Sequence, residues 1–143
     1  MKAMVLCAGY GTRLGPLTDD VPKPLLPIEG KPLLGYTLSY LAAFGFNEVA
    51  VNLHYKAEAI KRFLGDGSAF GVKIRYSFEE SLLGTAGAVK KLEEFFTGSE
   101  PFLVLYGDLL IDQDLTAMTK SHRAKEALGT LLVHKRENSN STV

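Results

Sequence analysis

The chain has 143 residues, 46% hydrophobic and 22% charged, so it can bury one core and is ordinary in composition for a globular domain. Its 16 basic and 16 acidic side chains cancel, which excludes the basic excess of a nucleic-acid-binding surface. The single cysteine, Cys7, excludes an internal disulfide and fits a reducing cytoplasm.

Residues 2–7 form a short apolar run that breaks at Gly9, the pattern of a buried strand entering a turn. The run is too short to span a membrane and lacks the layout of a signal peptide. The turn reads Ala8-Gly9-Tyr10-Gly11-Thr12-Arg13. Gly9 and Gly11 have no Cβ, so they can take φ > 0 and let a ligand approach the backbone. Successive backbone N–H groups in such a turn make an anion-binding concavity, and Arg13 adds a planar fork of donors matched to phosphate oxygens. Pro16, Pro22, Pro24 and Pro27 then rule out a long helix. Pro22 and Pro24 fix φ on both sides of Lys23, which lowers the entropy lost in placing its amine. Gly30-Lys31-Pro32 turns the chain into the next element.

Residues 33–44 are apolar nearly all round (Leu33, Leu34, Leu38, Leu41, Phe44), which predicts a buried helix ended by Gly45. Glu48 to Leu53 is a second strand. Residues 57–64 place Ile60, Phe63 and Leu64 on one helical face before Gly65. Residues 72–78 alternate, with Val72, Ile74, Tyr76 and Phe78 against Lys73, Arg75 and Ser77, so one face is wet and the strand lies near a sheet edge. Residues 86–96 form an amphipathic helix with Val89, Leu92 and Phe96 inward and Lys90 spaced to pair with Glu94. Phe102 to Tyr106 is continuously apolar and reads as central. A helix over 114–126, capped by Asp114, and a strand over 130–134 follow, then a polar, frayed tail from Glu137 to Thr142. Strands alternating with helices give an α/β sandwich with a mainly parallel sheet, as one domain over residues 1–143. Ligands of such sheets sit beyond the carboxyl ends of the strands, where the Gly9 loop, His54, the Gly84 turn and Asp108 all fall.

Two common phosphate motifs are absent. The dinucleotide fingerprint needs a third glycine where this chain has Leu14, and a P-loop needs Ser or Thr where Gly30-Lys31 is followed by Pro32. Instead, Gly9-Tyr10-Gly11-Thr12-Arg13 with Pro16, Thr18, Pro22-Lys23-Pro24-Leu25 and Gly30-Lys31-Pro32 resembles the opening of the sugar-1-phosphate nucleotidyltransferases. Gly84-Thr85-Ala86-Gly87 and Gly107-Asp108 follow in the order that the family expects.

The resemblance implies a Rossmann-like nucleotidyltransferase sandwich, here C-terminally truncated, and transfer of a nucleotidyl group from an NTP to a sugar 1-phosphate. It implies that Arg13 grips the β- and γ-phosphates, that Lys23 meets the α-phosphate or the acceptor phosphate, and that Asp108 holds Mg²⁺. Ala8, Gly9, Gly11, Thr12, Gly84, Thr85 and Gly87 would complete the nucleotide site. Glu79 and Glu80 lie just before the Gly84 turn and could approach the nucleoside. Mg²⁺ prefers one or two carboxylates with phosphate oxygens and water, which suits an aspartate after an apolar strand and a glycine. Thr85 also reads as a helix cap, and His54, His122 and His134 as structural. Cys7 has no basic neighbour and reads as a small buried hydrophobe. No side-chain code names the base: GTP, UTP and dTTP all fit, and likeness to bacterial mannose-1-phosphate guanylyltransferases favours GTP with mannose 1-phosphate. The alternatives are a cytidylyltransferase acting on a non-sugar phosphate and a nucleotide-binding module without turnover. Family members run on past residue 143, so the sugar site and a second metal carboxylate are expected outside this chain. The sheet edge so exposed is a candidate for homo-oligomer formation.

Overall fold

Lys2–Leu6 forms strand β1, with Ala3, Met4 and Val5 fully buried. The structure, a computed structural model, describes residues 1–98 and 101–133. The chain falls into two compact units, Met1–Asp112 and Gln113–Val143.

In the first unit, β4 (Glu48–Leu53), β5 (Lys73–Phe78) and β6 (Leu103–Tyr106) join β1 in a parallel sheet of order β5-β4-β1-β6. The register sets Met4 between Ala50 and Val104, and Leu6 between Asn52 and Tyr106. Short strands β2 (Pro27–Ile28) and β3 (Lys31–Pro32) pair as a hairpin. Its two turn residues, Glu29 (φ 50°) and Gly30 (φ 78°), are both left-handed, which matches the twist of a tight hairpin.

Helix α1 (Leu33–Ala43) carries the chain from β1 to β4, and α2 (Ala57–Leu64) carries it from β4 to β5. Helices α3 (Gly84–Lys91) and α4 (Glu93–Phe96) carry it back to β6. Right-handed crossovers therefore place α1 and α2 on one face of the sheet and α3 and α4 on the other. Met4 and Ala50 pack with Ala88, Leu92 and Phe96 on the second face. Their neighbours Ala3, Val5, Val49 and Val51 point the opposite way and are equally buried. Helix α1 ends as its sequence predicts. Gly45 (φ 78°) closes a double cap in which the Phe46 and Gly45 N–H groups donate to Leu41 and Ala42 at 2.9 and 3.0 Å.

Several expectations are corrected. Among the described residues β6 pairs with β1 alone, so the apolar run read as central lies at an edge. In β5 the alternation holds for Lys73 to Tyr76 and then inverts: Ser77 is buried and Phe78 is 50% exposed. The side chains at 77 and 79 turn in beneath α3, where Ser77 stands beside Asn52. The helix expected over 86–96 begins at Gly84 and is interrupted at Leu92 (φ −105°, ψ 20°). That break turns Lys90 onto Glu93 at 2.6 Å in place of Glu94.

The second unit holds α5 (Leu115–Ala124), capped as expected by the Asp114 carboxylate accepting from the Ala117 N–H at 2.9 Å. Residues 130–133 form no strand, and Leu131 and Val133 are 86% and 80% exposed. A strand needs a ladder to satisfy its backbone, and none of the described residues pairs with these. His134 and the tail lie outside the described residues.

Candidate active site

The chain leaves β1 over one face of the sheet and reaches β6 over the other, so the carboxyl ends of these adjacent strands open into a crevice. A cavity of about 570 Å³ occupies it. Ala8, Gly9, Gly11, Thr12, Arg13, Lys23, Gly84, Thr85 and Asp108 line it, and Gly87 does not.

The loop after β1 runs into 3₁₀ turns within Thr12–Thr18, separated by a kink at Gly15 (φ 50°, ψ −128°), not an α-helix. Gly11 is left-handed (φ 72°), and a Cβ there would stand 3.1 Å from Thr18 Cγ2 and 3.2 Å from Lys23 Cβ. A glycine is thus needed to bring the far side of the loop and Lys23 against its start. Gly9 corrects the expectation: its φ is not positive, and open space lies where its Cβ would be. The buried Thr18 hydroxyl lies 3.2 and 3.1 Å from the Gly11 and Gly15 carbonyl oxygens and ties the loop to itself. Arg13 is exposed and makes no hydrogen bond or ion pair among the described residues, so its fork faces the cavity uncommitted.

Pro22 (φ −64°) starts a 3₁₀ turn at Lys23–Leu25, which holds Lys23 between its two prolines. Lys23 Nζ forms an ion pair with Asp108 Oδ2, both side chains about one-third exposed at 31% and 29%. Asp108 follows Gly107, whose N–H donates to the Leu6 carbonyl at 2.9 Å and extends the β1–β6 ladder by one residue. A Cβ on Gly107 would stand 2.5 Å from Cys7 Sγ. Burial pushes the Cys7 thiol far above its ordinary range, and the Asp108 charge adds to the effect. Cys7 is therefore a protonated packing group and not a nucleophile.

Below the cavity runs a buried chain of hydrogen bonds. The Cys7 N–H donates to Asn52 Oδ1 at 2.8 Å, and Asn52 Nδ2 donates to Glu79 Oε1 at 2.8 Å. Glu79 Oε2 accepts the Leu83 N–H at 3.0 Å, at the start of α3. Glu79 is 1% exposed, so its carboxylate joins the loop, β4 and the Gly84 turn from within. Thr85 is no cap: its hydroxyl meets Tyr106 OH at 3.1 Å across the cavity mouth. The Glu79 carbonyl accepts from His54 Nδ1 at 2.8 Å, since a carbonyl cannot donate, and Tyr10 OH donates to the remaining His54 Nε2 at 2.7 Å. His54 is thus structural, as the sequence suggests. The sequence offers Glu79 only as a group that could approach the nucleoside, whereas both its carboxylate oxygens are committed to Asn52 and Leu83; Asn52 and Tyr106 lie within strands whose pattern marks neither of them.

Among the described residues no three His, Cys, Asp or Glu side chains converge as a metal cluster. Asp108 supplies one partly exposed carboxylate at the cavity wall, a donor set that suits Mg²⁺ only when phosphate oxygens and water complete its shell. No helix is long and apolar enough to cross a membrane, among the described residues.

Residues 2–142 match the family described as nucleotidyl transferase. The chain is 44% identical over 142 residues to a UTP--glucose-1-phosphate uridylyltransferase of Synechocystis sp., covering 92% of this chain and 37% of that protein. It is 49% identical over 118 residues to an N-acetylmuramate alpha-1-phosphate uridylyltransferase of Neisseria meningitidis, covering 82% and 51%. The crystal structure of HddC from Yersinia pseudotuberculosis superposes with a TM-score of 0.75 at 31% identity, over 85% of this chain and 53% of that one. The chain thus spans about half or less of the length of these relatives. The match over nearly all of its residues, together with the parallel sheet and the glycine loop at its crevice, places this chain in the nucleotidyl transferase family.

Proposed function

We propose that the chain transfers a nucleotidyl group from an NTP to a sugar 1-phosphate, giving an NDP-sugar and pyrophosphate. The observation that carries this reading is the convergence of an uncommitted Arg13, Lys23 and Asp108 on one cavity floored by the glycine loop. In the reaction an oxygen of the acceptor phosphate bonds to the α-phosphorus while the bond from that phosphorus to the β-phosphate bridge breaks. No protein nucleophile is needed; positioning and charge neutralisation carry the rate. Arg13 takes the β- and γ-phosphates and the departing pyrophosphate. Lys23, held at its prolines, meets the α-phosphate or the incoming phosphate. Ala8, Gly9, Gly11 and Thr12 offer loop backbone to the phosphates. Gly84 (φ 67°) and Thr85 open the way to the base and ribose. Gly87 lies outside the cavity lining, and a Cβ there would stand 3.0 Å from Leu83 Cβ at the start of α3, so its part is in packing that turn. Asp108 is the residue that would hold Mg²⁺, which when bound neutralises charge on the triphosphate.

The relatives' names divide over the nucleotide. Those named uridylyltransferases are 44% and 49% identical, and mannose-1-phosphate guanyl- and guanylyltransferases are 36–40% identical. UTP therefore stands beside GTP as the donor, with hexose 1-phosphates including mannose 1-phosphate as acceptors. The cytoplasm supplies these substrates, and β6, at a sheet edge among the described residues, offers a second copy a surface to pair with.

The test is pyrophosphate release from each NTP with a panel of sugar 1-phosphates, beside Arg13→Ala. The expected loss in that variant is roughly 10²–10³-fold in rate, the scale of one electrostatic stabiliser. A loss under about tenfold removes Arg13 from that role. Nucleotide binding without pyrophosphate release from any acceptor makes the chain a binding module. Release with a non-sugar phosphate alone makes it a different transferase.

A further inference from the structure

The segment that follows β4 touches the glycine loop at three places, yet Tyr55 and Lys56 do not line the cavity. His54 takes the Tyr10 hydroxyl, and the two rings meet edge-on with centroids 5.2 Å apart. Tyr55 packs against Tyr10 at 5.5 Å, and its hydroxyl donates to the Thr18 carbonyl at 3.1 Å. Lys56 Nζ donates to the Asp19 carbonyl while lying 5.4 Å over the Tyr55 ring. His54 is itself fixed to the sheet through the Glu79 carbonyl.

We propose that His54, Tyr55 and Lys56 form a clasp, and that Tyr55 and Lys56 are positioning residues that hold the glycine loop in its nucleotide-ready shape. The nucleotide part of this inference rests on the proposed function. The loop needs an external hold. It contains two glycines at positive φ, Gly11 (φ 72°) and Gly15 (φ 50°, ψ −128°), and its turns are only 3₁₀. The path from the clasp to the phosphate donors is short. Tyr55 fixes the Thr18 carbonyl, the Thr18 hydroxyl bonds the Gly11 carbonyl, and Arg13 stands two residues beyond. Lys56 pays a local conformational cost to take part: it sits left-handed (φ 48°, ψ 39°), where glycine would sit without strain. A lysine there is explained by its amine reaching Asp19, not by the turn.

The experiment uses the full chain with Tyr55→Phe and Lys56→Gly, and Lys56→Arg as the conservative variant. Three quantities are read: trypsin cleavage after Arg13 relative to cleavage at Lys61 and Arg62 in α2, Tm, and affinity for GTP and UTP with Mg²⁺. Cleavage after Arg13 should accelerate roughly five- to tenfold in Tyr55→Phe and Lys56→Gly, with the α2 sites unchanged, because only the loop opens. Lys56→Gly should not lower Tm, since it relieves the left-handed strain, and Lys56→Arg should restore slow cleavage. Nucleotide affinity should fall by about fivefold as pre-organisation is lost. Unchanged cleavage after Arg13 overturns the clasp, as does acceleration at all sites with a lower Tm. Where the wild type binds nucleotide, unchanged affinity in Tyr55→Phe and Lys56→Gly overturns the positioning role. If the wild type binds no nucleotide, the proposed activity fails, and the cleavage ratio still decides the clasp.

Discussion

Gly107 shows how one missing methyl group sets the spacing of the site. Its Cβ would stand 2.5 Å from Cys7 Sγ and 3.1 Å from the Leu6 carbonyl, so an alanine must push β6 away from β1 just before Asp108. Gly107→Ala is expected to cost roughly 1–3 kcal/mol, the scale of overpacking a core. Because the sulfur is the tighter of the two contacts, Cys7→Ala should recover about 1 kcal/mol of that loss in the double variant. Thermal melts of the four proteins of this cycle check it, and strictly additive losses would show that the strain is released elsewhere. The sequence displays Gly107-Asp108 and suggests a ligand role, but the packing role of this glycine is not legible, because it depends on Cys7, far away in the chain and brought near only by a parallel ladder. Arg13 and Lys23 were easier to find, since their local frames, glycines for one and prolines for the other, are written beside them.

The joints between elements depend on the buried path from Cys7 through Asn52 and Glu79 to Leu83. Each link has one donor and one acceptor, with no atom to spare. Glu79→Gln introduces an amide that must face either Asn52 Nδ2 or the Leu83 N–H, donor against donor, and should cost about 1–3 kcal/mol. Adding Asn52→Asp reverses the middle link. The introduced carboxylate would then accept from both the Cys7 N–H and the introduced amide, whose own oxygen accepts from the Leu83 N–H. The double exchange should therefore recover most of the stability, and an unrecovered melt would refute this pairing scheme. Element positions were largely legible, because α1 is apolar all round and ends at a glycine, and β5 alternates. The missed details share one physical origin: sequence periodicity describes a face, and a partner decides how that face is used. Thus Ser77 and Glu79 turn inward under α3, the helix breaks at Leu92, and the apolar residues at 130–133 find no ladder among the described residues.

At the scale of the molecule, the charges around the cavity predict that nucleotide binding depends on a cation. Asp108 is paired with Lys23, so a nucleotide arriving alone finds Arg13 uncommitted but also meets two obstacles, one carboxylate and a lysine already engaged. A divalent cation on Asp108 would remove both obstacles, since it offsets the carboxylate and releases the lysine toward phosphate. Asp108→Asn removes the same obstacles without the cation. Two dependences should therefore diverge. In the wild-type chain, Mg²⁺ should strengthen nucleotide binding and chelation should weaken it. In Asp108→Asn, nucleotide should bind better than wild type without Mg²⁺ and respond little when it is added. Thermal shift reads both, because a ligand at a hundred times its Kd stabilises by roughly 2.7 kcal/mol. A Mg²⁺ dependence that survives intact in Asp108→Asn would assign the cation to the nucleotide alone and leave Asp108 as the counter-ion that holds Lys23.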